Sequence, residues 1–253
     1  MRIREILRDI VDFLMPRTCV MCGERLGGDE SFICAHCFVH LPFTHYHLVK
    51  QSQLEKQFWA LFPIERATGM FYHDGKKTRN LIYQIKYDGH PEVGCHMAKI
   101  YAEELEKHHY FDDIDMLIPL PLHWKRLLKR HYNQCHYICQ GIHEKTGIPV
   151  EEGVVKRIKN NPSQTHLNAS QRMRNVEGIF QVTHPEKLKG KHVLLIDDVV
   201  TTGATLSSCA KELAKVPDVK VSVLTLSVAS RIAAPAFEDD NIDVSIFGVP
   251  LME

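Results

Sequence analysis

The most constraining feature of the sequence is the run VLLIDDVVTTGATL, from Val193 to Leu206. It starts as an apolar stretch typical of a buried strand, which ends in two adjacent carboxylates, Asp197 and Asp198. A turn of small and hydroxyl-bearing residues follows, and then a helical pattern. Turn amides and helix N-termini bind phosphate, and Gly203 lets the backbone approach a ligand closely. The run therefore predicts a sugar-phosphate site in which the carboxylates accept hydrogen bonds from ribose hydroxyls.

A plainer interpretation of this run is a buried strand followed by a polar helix cap. A cap needs only one hydroxyl or carboxylate. Here five polar side chains occur within the nine residues 197–205, and the hydroxyls belong to Thr201, Thr202 and Thr205. We therefore favour the sugar-phosphate site.

Length and charge limit the other classes of protein. The 253 residues are enough for one α/β domain and a small appendage. Lys plus Arg and Asp plus Glu number 31 each, so the overall charge favours neither nucleic acid nor membrane. No apolar run approaches the roughly 20 residues that span a bilayer, and charged residues interrupt the N-terminal stretch where a signal peptide has its apolar core. We expect a cytoplasmic protein without a transmembrane segment.

The N-terminal region predicts a helix and a metal module. Apolar residues at helical spacing indicate an amphipathic helix over residues 1–16, which packs on its own protein or docks on a membrane surface or partner. Two Cys-x-x-Cys pairs follow, and four thiolates complete a closed tetrahedral Zn²⁺ site. The expected ligands are Cys19, Cys22, Cys34 and Cys37. Residues 17–45 would then form a zinc-ribbon-like module that depends on its metal to fold; the alternative is two reduced or redox-active pairs.

Several histidines lie close to these cysteines. We expect them to be surface residues, because four thiolates already complete the metal site. They are His36, His40, His45 and His47.

Two stretches upstream of the opening run place basic residues after predicted strands. A strand pattern over 69–73 ends at a turn over 74–75, and the later Lys86 either belongs to a solvated face or points towards the active site. A second short strand over 115–122 is followed by the basic stretch 123–134, and a helix is predicted over 133–145. An open α/β sheet places ligands beyond its strand ends. We therefore interpret 123–134 as an anion-binding loop, with an ordinary solvated charge run as the alternative.

The remaining segments complete a parallel α/β pattern. The polar stretch 157–175 has no clear period, and a loop of this length in a compact domain is more often functional or mobile than structural. Strands are predicted over 179–182, 220–228 and 244–249. Strands that alternate with helices indicate a parallel sheet with helices on both faces.

Taken in order, these pieces resemble the ComF family, amidophosphoribosyltransferase-like competence proteins, over nearly the whole chain. The opening run is similar to the phosphoribosyl-pyrophosphate motif of type I phosphoribosyltransferases. Four further blocks match the family. The first is the four-cysteine module, and the second is Leu81-Ile-x-x-Ile-Lys86-Tyr87. The third is Pro119-x-Pro121-Leu-His with Arg126, Arg130 and Asn133-Gln134, and the fourth runs from Arg157 through Pro162-Ser-Gln164, Leu167, Arg172 and Asn175 to Phe180.

The resemblance implies roles for individual residues. Asp197 and Asp198 would hold the ribose hydroxyls, directly or through Mg²⁺. The 5′-phosphate would lie on Thr201, Thr202, Gly203, Ala204 and Thr205. Lys86 and the turn at Pro119-Leu120 would complete the binding of phosphoribosyl pyrophosphate, and Arg126 and Arg130 would face its pyrophosphate. The stretch 157–175 would close over the site, with Arg172 as a clamp.

Two positions depart from the family pattern. The family has Gly-Phe where this chain has His131-Tyr132, and Thr where it has Asn161. If the glycine position requires a positive φ, His131 is strained there or takes another backbone.

The resemblance also implies a division of the chain and three possible functions. The segments are the helix 1–16, the zinc module 17–45, a connector or hood 46–110 and a phosphoribosyltransferase core 111–253. The first function is an active phosphoribosyltransferase with an unidentified acceptor. The second is an accessory protein for DNA uptake that binds single-stranded DNA and a helicase. Exposed aromatics beside basic residues, namely Trp124, Tyr132 and Tyr137, would then stack on bases. The third is an interaction protein that binds no nucleotide. The oligomeric state is left open.

Overall fold

The computed structural model describes residues 16–73, 75–159 and 178–229. Its centre is a four-stranded sheet in the order β1-β6-β5-β2, in which all neighbours are parallel. The strands are β1 (Ala67–His73), β2 (Met116–Pro119), β5 (His192–Val200) and β6 (Lys220–Ala229). The predicted parallel sheet is therefore confirmed.

The central strand β5 explains why the opening run is so apolar. Its side chains alternate between two hydrophobic clusters on the two faces of the sheet. Leu194 and Ile196 belong to one cluster, and Val193 and Leu195 to the other. A parallel strand that is covered on both faces reads as a continuous apolar stretch.

Helices cover both faces of the sheet, as the sequence predicted. One cluster contains residues of α3 (Gly75–Tyr87), α4 (Pro91–Lys107) and α6 (Gln134–Thr146). The other contains residues of α2 (Gln53–Trp59) and α8 (Ala204–Leu213).

The contact between α4 and α6 depends on a glycine. A Cβ atom built on Gly141 would lie 2.1 Å from the backbone oxygen of Cys95, which no side chain tolerates. The absence of a side chain thus lets the two helix backbones approach closely.

Shorter elements surround this body. The helices α1 (Ala35–Val39), α5 (Trp124–Arg130) and α7 (Pro185–Leu188) and a 3₁₀ turn (Tyr46–Leu48) complete the described helical elements. The strands β3 (Val155–Arg157) and β4 (Phe180–Val182) form a separate antiparallel pair. The strand predicted over 179–182 therefore exists but does not join the parallel sheet.

The cysteine module packs against the domain that contains the parallel sheet. Cys19, Met21 and Ile33 lie in one hydrophobic cluster with Leu81 and Ile82 of α3. The module thus shares a core with the domain that follows it. Edge strand β1 comes from the segment 46–110, which the sequence-based division assigned to a connector, and that division stays a prediction.

Some expectations concern parts of the chain that the structure does not describe. The helix predicted over 1–16 lies outside the described residues except for Pro16, and the strand predicted over 244–249 lies wholly outside them. Among the described helices, none combines the length and the apolarity needed to cross a bilayer.

Candidate functional site

A cleft of about 1260 Å³ lies beyond the carboxyl ends of β2 and β5, where an open α/β sheet binds its ligands. Its lining combines the acidic pair, two hydroxyls of the following loop and a set of cations. The cations are Lys86, Lys125, Arg126, Lys129, Arg130 and Arg157, against the carboxylates of Glu92, Asp197 and Asp198. This excess of positive charge favours an anionic ligand.

The loop between β5 and α8 has the shape that its sequence predicted. Gly203 has φ 75° and ψ −5° and occupies the N-cap position of α8 without a side-chain cap of its own. The backbone N–H of Ala204 donates to Oγ1 of Thr202 at 3.4 Å. A Cβ atom at this position would lie 3.1 Å from the ring of Phe58. Gln57 also supports the loop, because its Nε2 donates to the backbone oxygen of Thr201 at 3.0 Å. The loop is therefore packed from behind by α2.

The second carboxylate of the pair is buried against a lysine. Asp198 has a side chain only 4% exposed, and its Oδ2 lies 3.0 Å from Nζ of Lys86 in α3. Burial alone lowers the pKa of Lys86, but the charges of Asp198 and Asp197 outweigh it and hold that pKa above its usual value. The pair thus keeps a charged lysine at the acidic end of the cleft.

The first carboxylate has a different environment. Oδ1 of Asp197 accepts from the backbone N–H of Asp198 at 2.9 Å and from the Cys135 thiol at 3.4 Å. Burial and then the charge of Asp198 raise the pKa of Asp197 to about 7. Burial and the same carboxylates raise the pKa of Cys135, which therefore stays a thiol and donates. Asp197 consequently titrates near neutral pH, while the positive charge of Lys86 lies against Asp198.

The basic wall of the cleft is helical. The stretch 123–134 was predicted to be a loop before a helix, but residues Trp124–Arg130 form α5. That part of the prediction was wrong, because α5 has none of its own residues buried and so shows no apolar period. His123 caps the helix by accepting from the N–H of Lys125 at 3.3 Å. The helix carries Arg126 and Arg130 into the cleft lining.

Two contacts fix the position of Arg130. Its guanidinium lies 4.9 Å from the ring centre of Tyr87, and it donates to the side-chain oxygen of Gln134. A cation over an aromatic face is stabilised by the ring quadrupole. Arg130 is therefore held ready for an anion without a carboxylate partner among these contacts.

His131 adopts the backbone that the family's glycine would favour. It has φ 67° and ψ −9° at the end of α5, where its N–H donates to the oxygen of Leu127. This left-handed conformation is costly for a residue with a Cβ atom. The expected strain at this position is therefore confirmed. The next residue, Tyr132, donates its hydroxyl to the oxygen of Ile85 at 2.9 Å and joins α5 to α3.

Arg157 is a further cleft residue, which the sequence analysis treated only as the start of a loop. It ends β3, and its buried Nε has no hydrogen-bond partner among the described residues. Burial, followed by the charge of Arg126, lowers the pKa of Arg157 to about 10. Two guanidiniums that destabilise each other in a cleft form a site for an anion with several negative charges.

The structure brings most of the expected site residues together. Those that line the cleft are Lys86, Leu120, Arg126, Arg130, Asp197, Asp198, Thr201 and Thr205. The loop between Thr201 and Thr205 contains Thr202, Gly203 and Ala204. Pro119 instead lines a neighbouring cavity of about 430 Å³. Arg172 lies outside the described residues.

The aromatic side chains near the cleft differ from expectation. Trp124 is 58% exposed, as predicted. Tyr132 and Tyr137 are half-buried and pack edge to face at 5.9 Å, so the prediction that they are exposed was wrong. Tyr83 and Tyr87 on α3 are exposed instead.

A Ser–His–Asp arrangement lies at the other end of the sheet. His192 contacts Oδ2 of Asp113 through Nδ1 at 3.0 Å and Oγ of Ser222 through Nε2 at 2.9 Å. Ser222 is wholly buried, so no substrate can reach its hydroxyl. The arrangement therefore ties the starts of β5 and β6 together and is not a nucleophilic site.

The four cysteines of the N-terminal module form one cluster. The sulfur atoms of Cys19, Cys22, Cys34 and Cys37 all lie within 4.8 Å of one another. Sγ of Cys22 and Sγ of Cys34 are 3.8 Å apart, which equals the edge of a tetrahedron with Zn–S bonds of about 2.3 Å. Backbone amides of Cys34 and Cys37 each donate to a cysteine sulfur at 3.4 Å. The cluster fits a tetrahedral metal ion.

The neighbouring histidines do not share one environment. His36 and His40 are exposed and stack on each other, with ring centres 4.4 Å apart. The side chain of His47 is only 3% exposed, so the prediction of a surface residue was wrong there.

Comparison with known proteins identifies the family. Residues 137–249 match the family model described as the phosphoribosyl transferase domain. The chain is 32% identical over 195 residues to competence protein ComFC of Bacillus subtilis, and the match covers 77% of each protein. The chain belongs to the ComF family.

Two further ComF-like relatives show how far the similarity extends. Competence protein F of Haemophilus influenzae is 27% identical over 224 residues, which cover 83% of this chain and 84% of that protein. DNA utilization protein YhgH of Salmonella typhi is 28% identical over 134 residues, which cover 52% of this chain and 58% of that protein. The chain thus spans less than two thirds of this last relative. The resemblance drawn from the sequence is confirmed at the level of the family and its fold.

Proposed function

We propose that this ComF protein binds Mg²⁺–phosphoribosyl pyrophosphate and transfers its phosphoribosyl group to an acceptor, with release of pyrophosphate. The observation that carries the proposal is the juxtaposition of the acidic pair, the glycine-capped loop and the arginines in one cleft. These three groups match the ribose hydroxyls, the 5′-phosphate and the pyrophosphate of a single ligand.

The 5′-phosphate would lie on the loop between β5 and α8. Backbone amides at a helix start bind phosphate, and the helix dipole favours negative charge at the start of α8. The hydroxyls of Thr201 and Thr205 line the same cleft and add donors. Gly203 itself adds no side-chain cap to the helix start, where the N–H of Ala204 donates to the Thr202 hydroxyl.

The ribose and its metal would lie at the acidic pair. Carboxylate oxygens suit Mg²⁺, which is commonly held by one or two carboxylates together with substrate phosphates. Asp197 and Asp198 could supply those oxygens, and Nζ of Lys86 lies 3.0 Å from Oδ2 of Asp198. When bound, Mg²⁺ would neutralise part of the pyrophosphate charge. The donor set therefore fits the ion that the fold family implies.

The chain's own residues would then do two things for the transfer. Arg126, Arg130 and Arg157 would neutralise charge on the departing pyrophosphate, which grows as the bond from C1 to oxygen breaks. The loop and the acidic pair would hold the ribose so that C1 faces the acceptor. Neither task requires a covalent intermediate on the protein. The acceptor itself stays open.

A pyrophosphate-release assay with a broad panel of nucleobases and amines tests the enzymatic part. Turnover with one acceptor, lost in Asp197→Asn, is the expected result. If wild-type protein binds the donor but no acceptor turns over, the transferase reading fails and donor binding alone is retained.

Single-stranded DNA binding is a second candidate, favoured by a different observation. Helix α5 exposes Trp124 at 58% and Leu128 at 65% between lysines and arginines, and Nζ of Lys125 lies 5.4 Å from the ring centre of Trp124. Basic side chains beside an exposed aromatic suit a strand whose bases stack. The relatives named for competence and DNA utilization agree with a role of this kind, in which a helicase would be a partner. Salt-dependent binding that weakens in Trp124→Ala supports it, and no binding at low salt excludes it.

A further inference from the structure

A second cluster of possible metal ligands lies away from both the cysteines and the cleft. It consists of His47 in the 3₁₀ turn and of Glu104 and His108 at the end of α4. One ligand atom from each lies within 4.8 Å of the others. None of the three lines the cleft. The spacing of Glu104 and His108 places both on one face of α4.

The distances between ligand atoms in this cluster are close to those around a bound metal ion. Oε1 of Glu104 lies 3.2 Å from Nε2 of His108 and 3.8 Å from Nε2 of His47. Ligand atoms around a tetrahedral Zn²⁺ with bonds of about 2.0–2.1 Å are roughly 3.3 Å apart. A shift of His47 by about half an ångström towards Glu104 would bring that pair to this spacing, and the third pair of ligand atoms also lies within 4.8 Å.

The environment of His47 is the observation that indicates a bound ligand. Its side chain is 97% buried, since 3% is exposed, and neither ring nitrogen has a hydrogen-bond partner within the described residues. An unsatisfied buried polar group costs about 1–3 kcal/mol. Both nitrogens of this buried ring therefore lack the partner that a buried polar group needs.

The other two members leave room for an ion. Lys107 lies 3.1 Å from Oε2 of Glu104, which leaves Oε1 to face the two imidazoles. The side chain of His108 is 41% exposed, so an ion can reach the cluster from solvent. Glu104 itself is 4% exposed, and Lys107 already partners its other oxygen.

We propose that His47, Glu104 and His108 form a second metal site, which takes Zn²⁺ and joins the segment after the cysteine module to the end of α4. Two imidazoles and one carboxylate are a ligand set of Zn²⁺ sites that keep a fourth position for water. The site differs from the cysteine cluster in having no thiolate, so the two can be distinguished spectroscopically.

The test is a titration with Co²⁺ of full-length protein whose cysteine cluster has already been filled with one equivalent of Zn²⁺. The loss variant is His108→Gln, which removes the exposed ligand without opening the core. The control is His109→Gln, since His109 is the next residue and is exposed, but contacts Asp112 instead of the cluster. Bound metal is counted by elemental analysis, and the absorption spectrum reports whether sulfur ligands are present.

Wild type and His109→Gln are expected to bind a second equivalent of metal whose spectrum lacks sulfur-to-metal charge transfer. In His108→Gln its affinity should fall at least about tenfold, the lower end of the loss seen when even an outer partner of a ligand is removed. One equivalent in the wild type would overturn the proposal. Equal binding by both variants would also overturn it, because the second ion would then lie elsewhere.

Discussion

The titration of Asp197 gives a pH dependence that can be calculated in advance. Burial and the adjacent Asp198 raise the pKa of Asp197 to about 7. If Asp197 binds ribose hydroxyls or Mg²⁺, it does so as the carboxylate, because the protonated acid has lost its charge and part of its accepting capacity. Affinity for Mg²⁺–phosphoribosyl pyrophosphate should therefore rise as the pH rises through 7.

The size of the effect follows from that pKa. A group with a pKa of about 7 is ionised in about a tenth of the molecules at pH 6 and in about nine-tenths at pH 8. The dissociation constant should therefore fall roughly tenfold over this range, or about 1.4 kcal/mol of binding free energy. The ligand's own phosphates also titrate, so the comparison needs a variant in which position 197 has no proton to lose.

Calorimetric titrations at pH 6, 7 and 8, with wild type and Asp197→Asn, make that comparison. The variant should bind more weakly at pH 8 and should lack the part of the pH dependence that belongs to Asp197. If both proteins show the same pH dependence, Asp197 is not the titrating group and the account of the acidic pair is wrong.

The same titration acts on stability in the opposite direction. The folded-state pKa of Asp197, about 7, is raised above its value of 3.8 in the unfolded chain. The folded protein therefore holds more protons between these two values, and the free energy of unfolding falls as the pH rises from about 4 to 7. Ligand affinity and stability therefore change in opposite directions with pH, because ionisation of Asp197 strengthens ligand binding and lowers the free energy of unfolding of the ligand-free protein.

Four further changes have expected outcomes. Gly203→Ala should destabilise the protein by about 1–3 kcal/mol in chemical denaturation, because φ is 75° and the new Cβ meets Phe58; an unchanged midpoint would contradict this. His131→Gly should stabilise it by about 0.5–1 kcal/mol by relieving the left-handed backbone, whereas a loss would show that the imidazole matters more than the strain. Lys86→Met should lower the free energy of unfolding by about 2–3 kcal/mol, because it leaves the buried Asp198 without its partner. The loss is smaller than for a fully buried pair because the Lys86 side chain is 21% exposed, and Lys86→Arg is the control that keeps the charge. Removal of metal from the cysteine cluster by a chelator should lower the thermal midpoint and expose its thiols to a thiol reagent, and thiols that react equally before chelation would argue against a bound metal.

The elements that the sequence predicted are those defined by nearby residues. Strand β5, its loop and α8 follow one another directly in the chain, so period and turn chemistry are enough to place them. The helix from Gln134 to Thr146 is marked in the same way, because Asn133 caps its start and Gly147 ends it with φ 73°. The cysteine spacing is likewise local.

What the sequence missed depends on contacts between distant segments. Lys86 was expected at the active site only as one of two alternatives, because its pairing with Asp198 joins α3 to β5 and nothing near either residue shows that they meet. Arg157 reaches the cleft because β3 ends there, although its neighbours resemble the start of a loop. His47 looks like one of several histidines after the cysteines until α4 covers it. Helix α5 has no apolar period because none of its own residues is buried.

The most direct test of the central claim is an isothermal titration of the wild-type protein with phosphoribosyl pyrophosphate, with and without Mg²⁺. We expect saturable binding at one site per chain that requires Mg²⁺ and is weakened at least about tenfold in Asp197→Asn, equal to about 1.4 kcal/mol. Lys211→Gln, which changes an exposed lysine of α8 that does not line the cleft, should bind within a few-fold of wild type. No heat of binding in the wild type with Mg²⁺ would contradict the account and leave the protein as one whose cleft binds no nucleotide.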